Sequence, residues 1–153
     1  MISSPIVRLG ILIVTPFLLG GCGHTLSPLY EDFRVDEGET SGNDIHALIE
    51  IAVIEAGWTL DEPDAPNVVS TSEATVTHWG LYKVVVSIDV APINGSHVRV
   101  YVHPYRVYVW GSRSKLPYMS RRIRNFVLPD LTVTLADQGI FDLDVQLADD
   151  TTT

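Results

Sequence analysis

Residues 83–110 read KVVVSIDVAPINGSHVRVYVHPYRVYVW, and this stretch decides the fold class. Val84, Val86, Ile88 and Val90 alternate with Lys83, Val85, Ser87 and Asp89, the period of two expected of a strand with one buried face. Ala91–Ser96 then holds Pro92 and Asn94-Gly95. Asn-Gly reaches positive φ at little cost, which predicts a hairpin connection. Beyond it Val98, Val100 and Val102 share one face, and Arg99, Tyr101 and His103 the other. Pro104 has no N–H, so it is expected to break the ladder, force a bulge or lie on an edge. Val107 and Val109 take the parity of Tyr101 and His103, so the inward face is expected to switch at Pro104.

Two helical patterns flank these strands. In Asp44–Ala56, the residues Ile45, Leu48, Ile49, Ala52, Val53 and Ala56 fall on one helical face. Ser41 or Asn43 is placed to cap its start and Gly57 to end it. Ile51 and Ile54 lie off that face, which suggests cover on more than one side. In Arg121–Gln138, the residues Ile123, Val127, Leu131 and Leu135 recur every four, with Gly139 beyond. Pro129 either kinks this helix or begins it as the first helical residue; the unbroken spacing favours the kink. Val68–Ser72 is a short strand candidate that Thr75–Trp79 continues, and Asp61–Asn67 reads as a loop. Phe141–Leu147 alternates as an edge strand would, or is a loosely packed acidic tail. The expected fold is α+β, an antiparallel sheet of three to four strands packed with two helices in the order α-β-β-β-α. The helix ending Ala56-Gly57-Trp58, the strand Val68–Ser72 and the pair Lys83–Val90 and His97–Val109 together resemble the helix-grip domains of the BamC (NlpB/DapX) lipoprotein family of β-barrel assembly. This chain departs from that family in having one such domain and a shorter tether.

The amino terminus reads as an address. Leu9–Leu19 is an apolar run of eleven residues with Arg8 before it. A spanning helix needs about 20 residues, so the run has the length of a signal peptide. It ends in Leu19-Gly20-Gly21-Cys22, which resembles the lipobox of bacterial lipoprotein precursors. Small residues let the extended segment enter a peptidase cleft, and the Cys22 thiol accepts a thioether-linked diacylglycerol. The competing reading is an uncleaved anchor with a buried free cysteine. Because one acyl chain alone binds a membrane only marginally, the expected anchor carries more than one. Gly23, where enterobacterial lipoproteins kept in the inner membrane have Asp, leans toward the outer membrane. The expected organisation is a signal peptide over residues 1–21, a lipidated terminus and tether over 22–42, a domain over 43–147 and a disordered tail over 148–153. Within the tether a short extended piece near Leu29–Val35 is compatible with the sequence.

Composition narrows the function. Hydrophobic residues make up 46% and charged residues 19% of 153, which excludes a disordered or collagenous chain. A net charge of −9 argues against nucleic acid as a partner. The single cysteine excludes an internal disulfide framework and a Cys-rich zinc site. Of the histidines His24, His46, His78, His97 and His103, none forms a paired-histidine metal-binding spacing; His46 and Glu50, at i and i+4, could share a metal, but a helix-surface hydrogen bond is the favoured reading. No GxSxG, phosphate-binding loop or GxGxxG occurs. No cofactor, metal or catalytic activity is expected.

Charge is distributed unevenly. Lys83, Arg99, Arg106, Arg113, Lys115, Arg121, Arg122 and Arg124 face only Asp89 between residues 83 and 129, a net +7, whereas residues 24–82 carry −11. Tyrosines and Trp110 interleave with these cations, a composition enriched at interaction hot spots and suited to anionic lipid or glycan. Arg106, Arg113, Lys115, Arg121, Arg122 and Arg124 are therefore the candidate patch for an anionic partner, with Cys22 as the lipidation site. The competing reading is internal compensation by acidic loops. The function that these features favour is a non-catalytic binding or scaffolding lipoprotein of the bacterial envelope, at the outer membrane and facing the periplasm. Its partners would be the membrane, through acyl chains, and an envelope protein or anionic lipid or glycan. The alternatives are a lipid-anchored hydrolase or small-ligand carrier and a purely structural surface lipoprotein. Cys22→Ser should block lipidation and leave an unprocessed precursor; equal radiolabelled palmitate in wild type and variant would refute the lipobox.

Overall fold

The computed structural model describes residues 28–36, 44–63 and 65–143. The leader, Cys22, the cap candidates Ser41 and Asn43, and the tail from residue 144 lie outside these residues. The elements follow as β1 (Tyr30–Val35), α1 (Asp44–Glu55), β2 (Leu60–Asp61), β3 (Val69–Thr71), β4 (Ala74–Trp79), β5 (Tyr82–Asn94), β6 (His97–Tyr108), β7 (Arg113–Lys115), α2 (Arg121–Asp137) and β8 (Ile140–Asp142). β5 and β6 form one long antiparallel hairpin through twelve register pairs, from Tyr82↔Tyr108 to Asn94↔His97. β3 and β4 lie in tandem along the outer edge of β5, and β1 and β7 in tandem along the outer edge of β6. β2 extends the sheet beyond β3, and β8 extends it beyond β1.

The fold is α+β with an antiparallel sheet and two helices, but two expectations need correction. The sheet has eight strands among the described residues, not three to four, and the order is not α-β-β-β-α. Strands of two or three residues such as β2, β7 and β8 are too short to show a period. Second, Tyr30–Val35 is not spacer but a strand between β6 and β8. Phe33 and Val35 are buried there; the intervening Glu31, Asp32 and Arg34 hide this alternation among charges. Residues 141–143 are the only part of Phe141–Leu147 that is described, and the strand spans Ile140–Asp142.

Alternation along the central hairpin assigns its two faces. Val84, Val86, Ile88, Val90, Val98, Val100 and Val102 are buried on one face, where they meet Ile45, Ile49, Ala52 and Val53 of α1 and Ile123, Val127, Leu131 and Leu135 of α2. The inward face does not switch at Pro104. Pro104 is buried in step with Val102, and β6 runs on to Tyr108. The Val102 N–H donates to Leu29 and the Leu116 N–H donates to the Pro104 carbonyl, so even-numbered backbone groups of β6 point toward β1 and β7. The absent N–H of Pro104 thus falls at the gap between those two strands, where a ladder bond is not required.

Thr71 closes a second gap. At the irregularity between β3 and β4, its hydroxyl accepts from the Ile88 N–H at 2.9 Å and donates to the Ile88 carbonyl at 3.2 Å. The side chain thereby replaces the missing strand partner. Nor does the β5–β6 turn use positive φ at Asn94 or Gly95. Instead the Asn94 side-chain oxygen accepts from both the backbone N–H and the hydroxyl of Ser96, an Asx-type turn.

Helix ends follow local chemistry. α1 stops at Gly57, whose φ is +85°. The Gly57 N–H donates to Ile54 and the Trp58 N–H to Val53, which is the Schellman arrangement. Leu48 is only half-buried, whereas Ile45, Ile49, Ala52 and Val53 are buried; the inward face is rotated away from Leu48. Ile51 and Ile54 are exposed, so no second layer covers them among the described residues. α2 begins at Arg121 with Ser120 as its cap and passes through Pro129 without restarting. Pro129 cannot serve the Asn125 carbonyl one turn back, but both residues are exposed and solvent can reach that carbonyl. Ile49→Ala should cost about 2–5 kcal/mol and Leu48→Ala clearly less, as read by urea unfolding; equal losses would show that the face is misassigned.

Candidate functional site

The helices cover one sheet face and leave the other open. Odd-numbered residues of β5 and β6 and even-numbered residues of β1 share this open face through the register Asp89↔Tyr101 and Tyr30↔Tyr101. Arg99 is its most highly organised cation. Its Nε and Nη2 donate to the two Asp32 carboxylate oxygens at 2.5 and 2.8 Å, a bidentate fork. Its guanidinium lies 4.4 Å from the Tyr30 ring centroid and 5.9 Å from that of Tyr101, within cation–π range. The hydrogen bond to Asp32, above all, pushes Arg99 further above its ordinary pKa.

Farther along the same face, His103 Nε2 and Asp89 meet at 2.8 Å. They line a polar groove of about 350 Å³ with Asp61, Ser70, Ser87 and Lys115. Ser87 is the register partner of His103, but the imidazole bonds to Asp89 and no hydrogen bond joins it to Ser87 among the described residues. The groove thus gathers an imidazole–carboxylate pair with a serine and a lysine as polar binding groups. Among the described residues no three His, Cys, Asp or Glu side chains gather as a metal set. His46 and Glu50 meet at 3.5 Å on the surface of α1.

The six cations expected to form one patch are divided among several surroundings. Arg113 pairs with Glu73 and stacks 4.6 Å from Tyr105. Lys115 lines the polar groove. Arg106 points to the helix-covered side at the end of β6, 4.8 Å from the Tyr82 ring, and donates to the Tyr108 hydroxyl at 3.4 Å. That hydroxyl is the first cause raising the Arg106 pKa, and the Arg106 Nε is buried without a hydrogen-bond partner among the described residues. Arg124 donates to Glu31 at 2.6 Å across the sheet edge. Arg121 and Arg122, both exposed, open the first turn of α2. With Val76, Thr77, Asn125 and Phe126 they border a hollow of about 570 Å³.

Internal compensation therefore accounts for part of the basic stretch. Arg99, Arg113 and Arg124 pair with Asp32, Glu73 and Glu31 of the acidic first half. The sequence reading passed over the Asp32–Arg99–Tyr30–Tyr101 group because half of it lies in the presumed tether. The shared parity of Arg99 and Tyr101 was the signal within reach. The sequence reading named Trp110 among the aromatics of the basic stretch but passed over its exposed apolar neighbours at the two turns, Trp79, Leu81 and Val109.

Comparison with known proteins leaves the fold and these surfaces as the grounds for a functional reading: no protein-family model matches the chain, and no curated protein matches it. The charges make a stability forecast. In a double-mutant cycle, Arg124→Gln and Glu31→Gln should show a coupling of about 0.2–1 kcal/mol, the range of partly exposed pairs. Arg121→Gln should leave stability unchanged or raise it, because Arg121 stands at the positive end of the α2 dipole. A loss on Arg121→Gln as large as that on Arg124→Gln, by urea titration, would contradict this division.

Proposed function

We propose that the chain is a lipid-anchored lipoprotein of the bacterial envelope whose α+β domain acts by binding or scaffolding, not by catalysis. The leader ending in Leu19-Gly20-Gly21-Cys22 supports the anchor, and Gly23 favours the outer membrane with the domain facing the periplasm. The observation that carries the binding role is the uncovered sheet face, where Asp32 holds Arg99 between Tyr30 and Tyr101. A cation fixed by two hydrogen bonds between aromatic rings presents its remaining donors with little ordering cost. Arg and Tyr on an open face are suited to an anionic group or an extended polypeptide. A role in envelope assembly, as the resemblance to the BamC-type domains implies, belongs to this proposal.

A partner captured with the chain from native membranes should be lost on Arg99→Gln or Tyr101→Ala while the cooperative melt is retained. Retention of the partner by both variants would move the binding role elsewhere. The groove holding Asp89, His103, Ser87 and Lys115 favours a second reading, a carrier or hydrolase for a small polar molecule. That reading requires Ser87→Ala to abolish labelling by a serine-reactive phosphonate, or Lys115→Gln to abolish ligand binding.

A further inference from the structure

The β4–β5 and β6–β7 turns lie at the same end of the sheet. The Val109 N–H donates to the Leu81 carbonyl at 3.1 Å and joins them. The first turn carries Trp79 and Leu81, which are 53% and 67% exposed, and the second carries Val109 and Trp110, each 66% exposed. Such a concentration of large apolar side chains on neighbouring turns is unusual for scattered surface residues and marks an interaction site. The tip is also held in shape. Trp110 stacks on Tyr108 with ring centroids 4.8 Å apart and planes at 16°. Tyr108 packs against Tyr82 at 5.9 Å. Gly111, with φ of +88°, closes the second turn through its N–H to the Tyr108 carbonyl.

Cations stand behind this apolar tip. The Arg122 guanidinium lies 5.9 Å from the Trp79 ring, Arg106 lies against Tyr82, and Lys83 is exposed beside the first turn. Between residues 74 and 129 the one acid is Asp89. It bonds to His103 and sits about 20 Å up β5 from Lys83, at roughly 3.3 Å per residue. Apolar side chains projecting from a surface of basic residues match the layering of an anionic bilayer. Trp settles at the interface, and Lys and Arg reach headgroup phosphates.

The course of the chain agrees. β1 runs antiparallel to β6 and begins opposite Tyr101, with Leu29 just before it bonded to Val102, so it enters the sheet from the end that carries the tip. Leu29 and Tyr108 are separated along β6 by about 20 Å, six residues at roughly 3.3 Å each. Six residues also separate Cys22 from Pro28 and can span about 20 Å when extended. An acylated Cys22 can therefore lie level with Trp110.

We propose that the tip formed by Trp79, Leu81, Val109 and Trp110 docks into the interface of an anionic phospholipid bilayer, with Lys83 and Arg122 on its headgroups. The domain is thereby held with this end toward the membrane. This deepens the lipid-anchored reading and rests on it for the approach to the bilayer.

The test uses the whole chain, expressed in bacteria and reconstituted in vesicles of phosphatidylethanolamine and phosphatidylglycerol with brominated acyl chains. Tryptophan emission should shift to the blue and be quenched by the bromines. In Trp79→Phe/Trp110→Phe the remaining Trp58 emission should not be quenched. Leu81→Ser/Val109→Ser should lower the wild-type quenching with an unchanged melting temperature, since both side chains are two-thirds exposed. Removing phosphatidylglycerol should lower it as well. Tip tryptophans that stay open to aqueous acrylamide and unquenched by bromine would overturn the docking. So would shielding that follows protein concentration and not lipid, which would assign the tip to a second copy. Palmitate labelling of the same preparation separates the two readings. Label without quenching overturns the docking and keeps the anchor, whereas quenching without label keeps the docking and removes the anchor.

Discussion

The pairing of β5 with β6 is the constraint on which the rest of the molecule depends. Twelve register pairs tie two long strands together, and side chains on successive residues leave a strand on opposite faces. Once Val86 stands opposite Pro104 and Ile88 opposite Val102, every other position along both strands is assigned to core or surface. A slip of one residue would turn Val98, Val100 and Val102 outward and bring Arg99 and Tyr101 into the core. Both helices pack on the valine side because it is the only long apolar surface the hairpin offers. Each outer edge of the hairpin is then closed by two short strands, which meet at Pro104 on one side and at the Thr71 hydroxyl on the other.

Charge follows the same geometry. The first half of the chain is acidic and the middle is basic, and the sheet interleaves them by placing β1 against β6 and by letting Arg113 of β7 reach over Tyr105 to Glu73 at the β3–β4 bend. Arg99 with Asp32, Arg113 with Glu73 and Arg124 with Glu31 are the result. Pairs of this partial exposure add little to stability, but they orient side chains. Arg99 becomes a fixed donor on the open face, and Arg124 is withdrawn from the cluster that its neighbours Arg121 and Arg122 would otherwise form. Lys115 lines the polar groove, whereas Lys83 and Arg122 stand at the end of the sheet where Trp79, Leu81, Val109 and Trp110 project.

Two surfaces of different character result. The open face is largely polar, with Val85 buried on it opposite Tyr105; it is built from strand positions that alternate with core residues, and its groups are held by ladder geometry. The tip is apolar and built from residues at two turns and from Trp79 at the end of β4, and it is kept in position by Tyr108 stacking and by the bond between Val109 and Leu81. A domain tethered from the tip end would turn its open face sideways to the bilayer. That orientation leaves Arg99 and the polar groove accessible to a partner in the same compartment.

Much of this was legible in the amino-acid sequence wherever the information is local. The alternation of Val84–Val90 and Val98–Val102, the helix ended by Gly57 and the four-residue spacing of α2 follow from backbone period and capping chemistry within a dozen residues. The mixed α+β class follows from their order. Tyr30–Val35 was legible as a short extended piece but not as part of the sheet, because its pairing depends on the edge of β6, almost 70 residues away, and its charges imitate a solvated spacer. Pro104 misled for a related reason. A proline breaks a ladder only where its neighbour strand demands an N–H, and the gap between β1 and β7 is a property of the assembled sheet. The scattering of Arg106, Arg113, Lys115, Arg121, Arg122 and Arg124 has the same origin, since nearness along the chain does not select the face or the carboxylate that each guanidinium meets. The sequence by itself determined the two helices, the central hairpin and the parity of its strands, because backbone period and capping chemistry are local. The tertiary structure alone decided which edges are paired, which cations are neutralised and which turns meet at the tip, because those depend on contacts between segments whose separation no local period records.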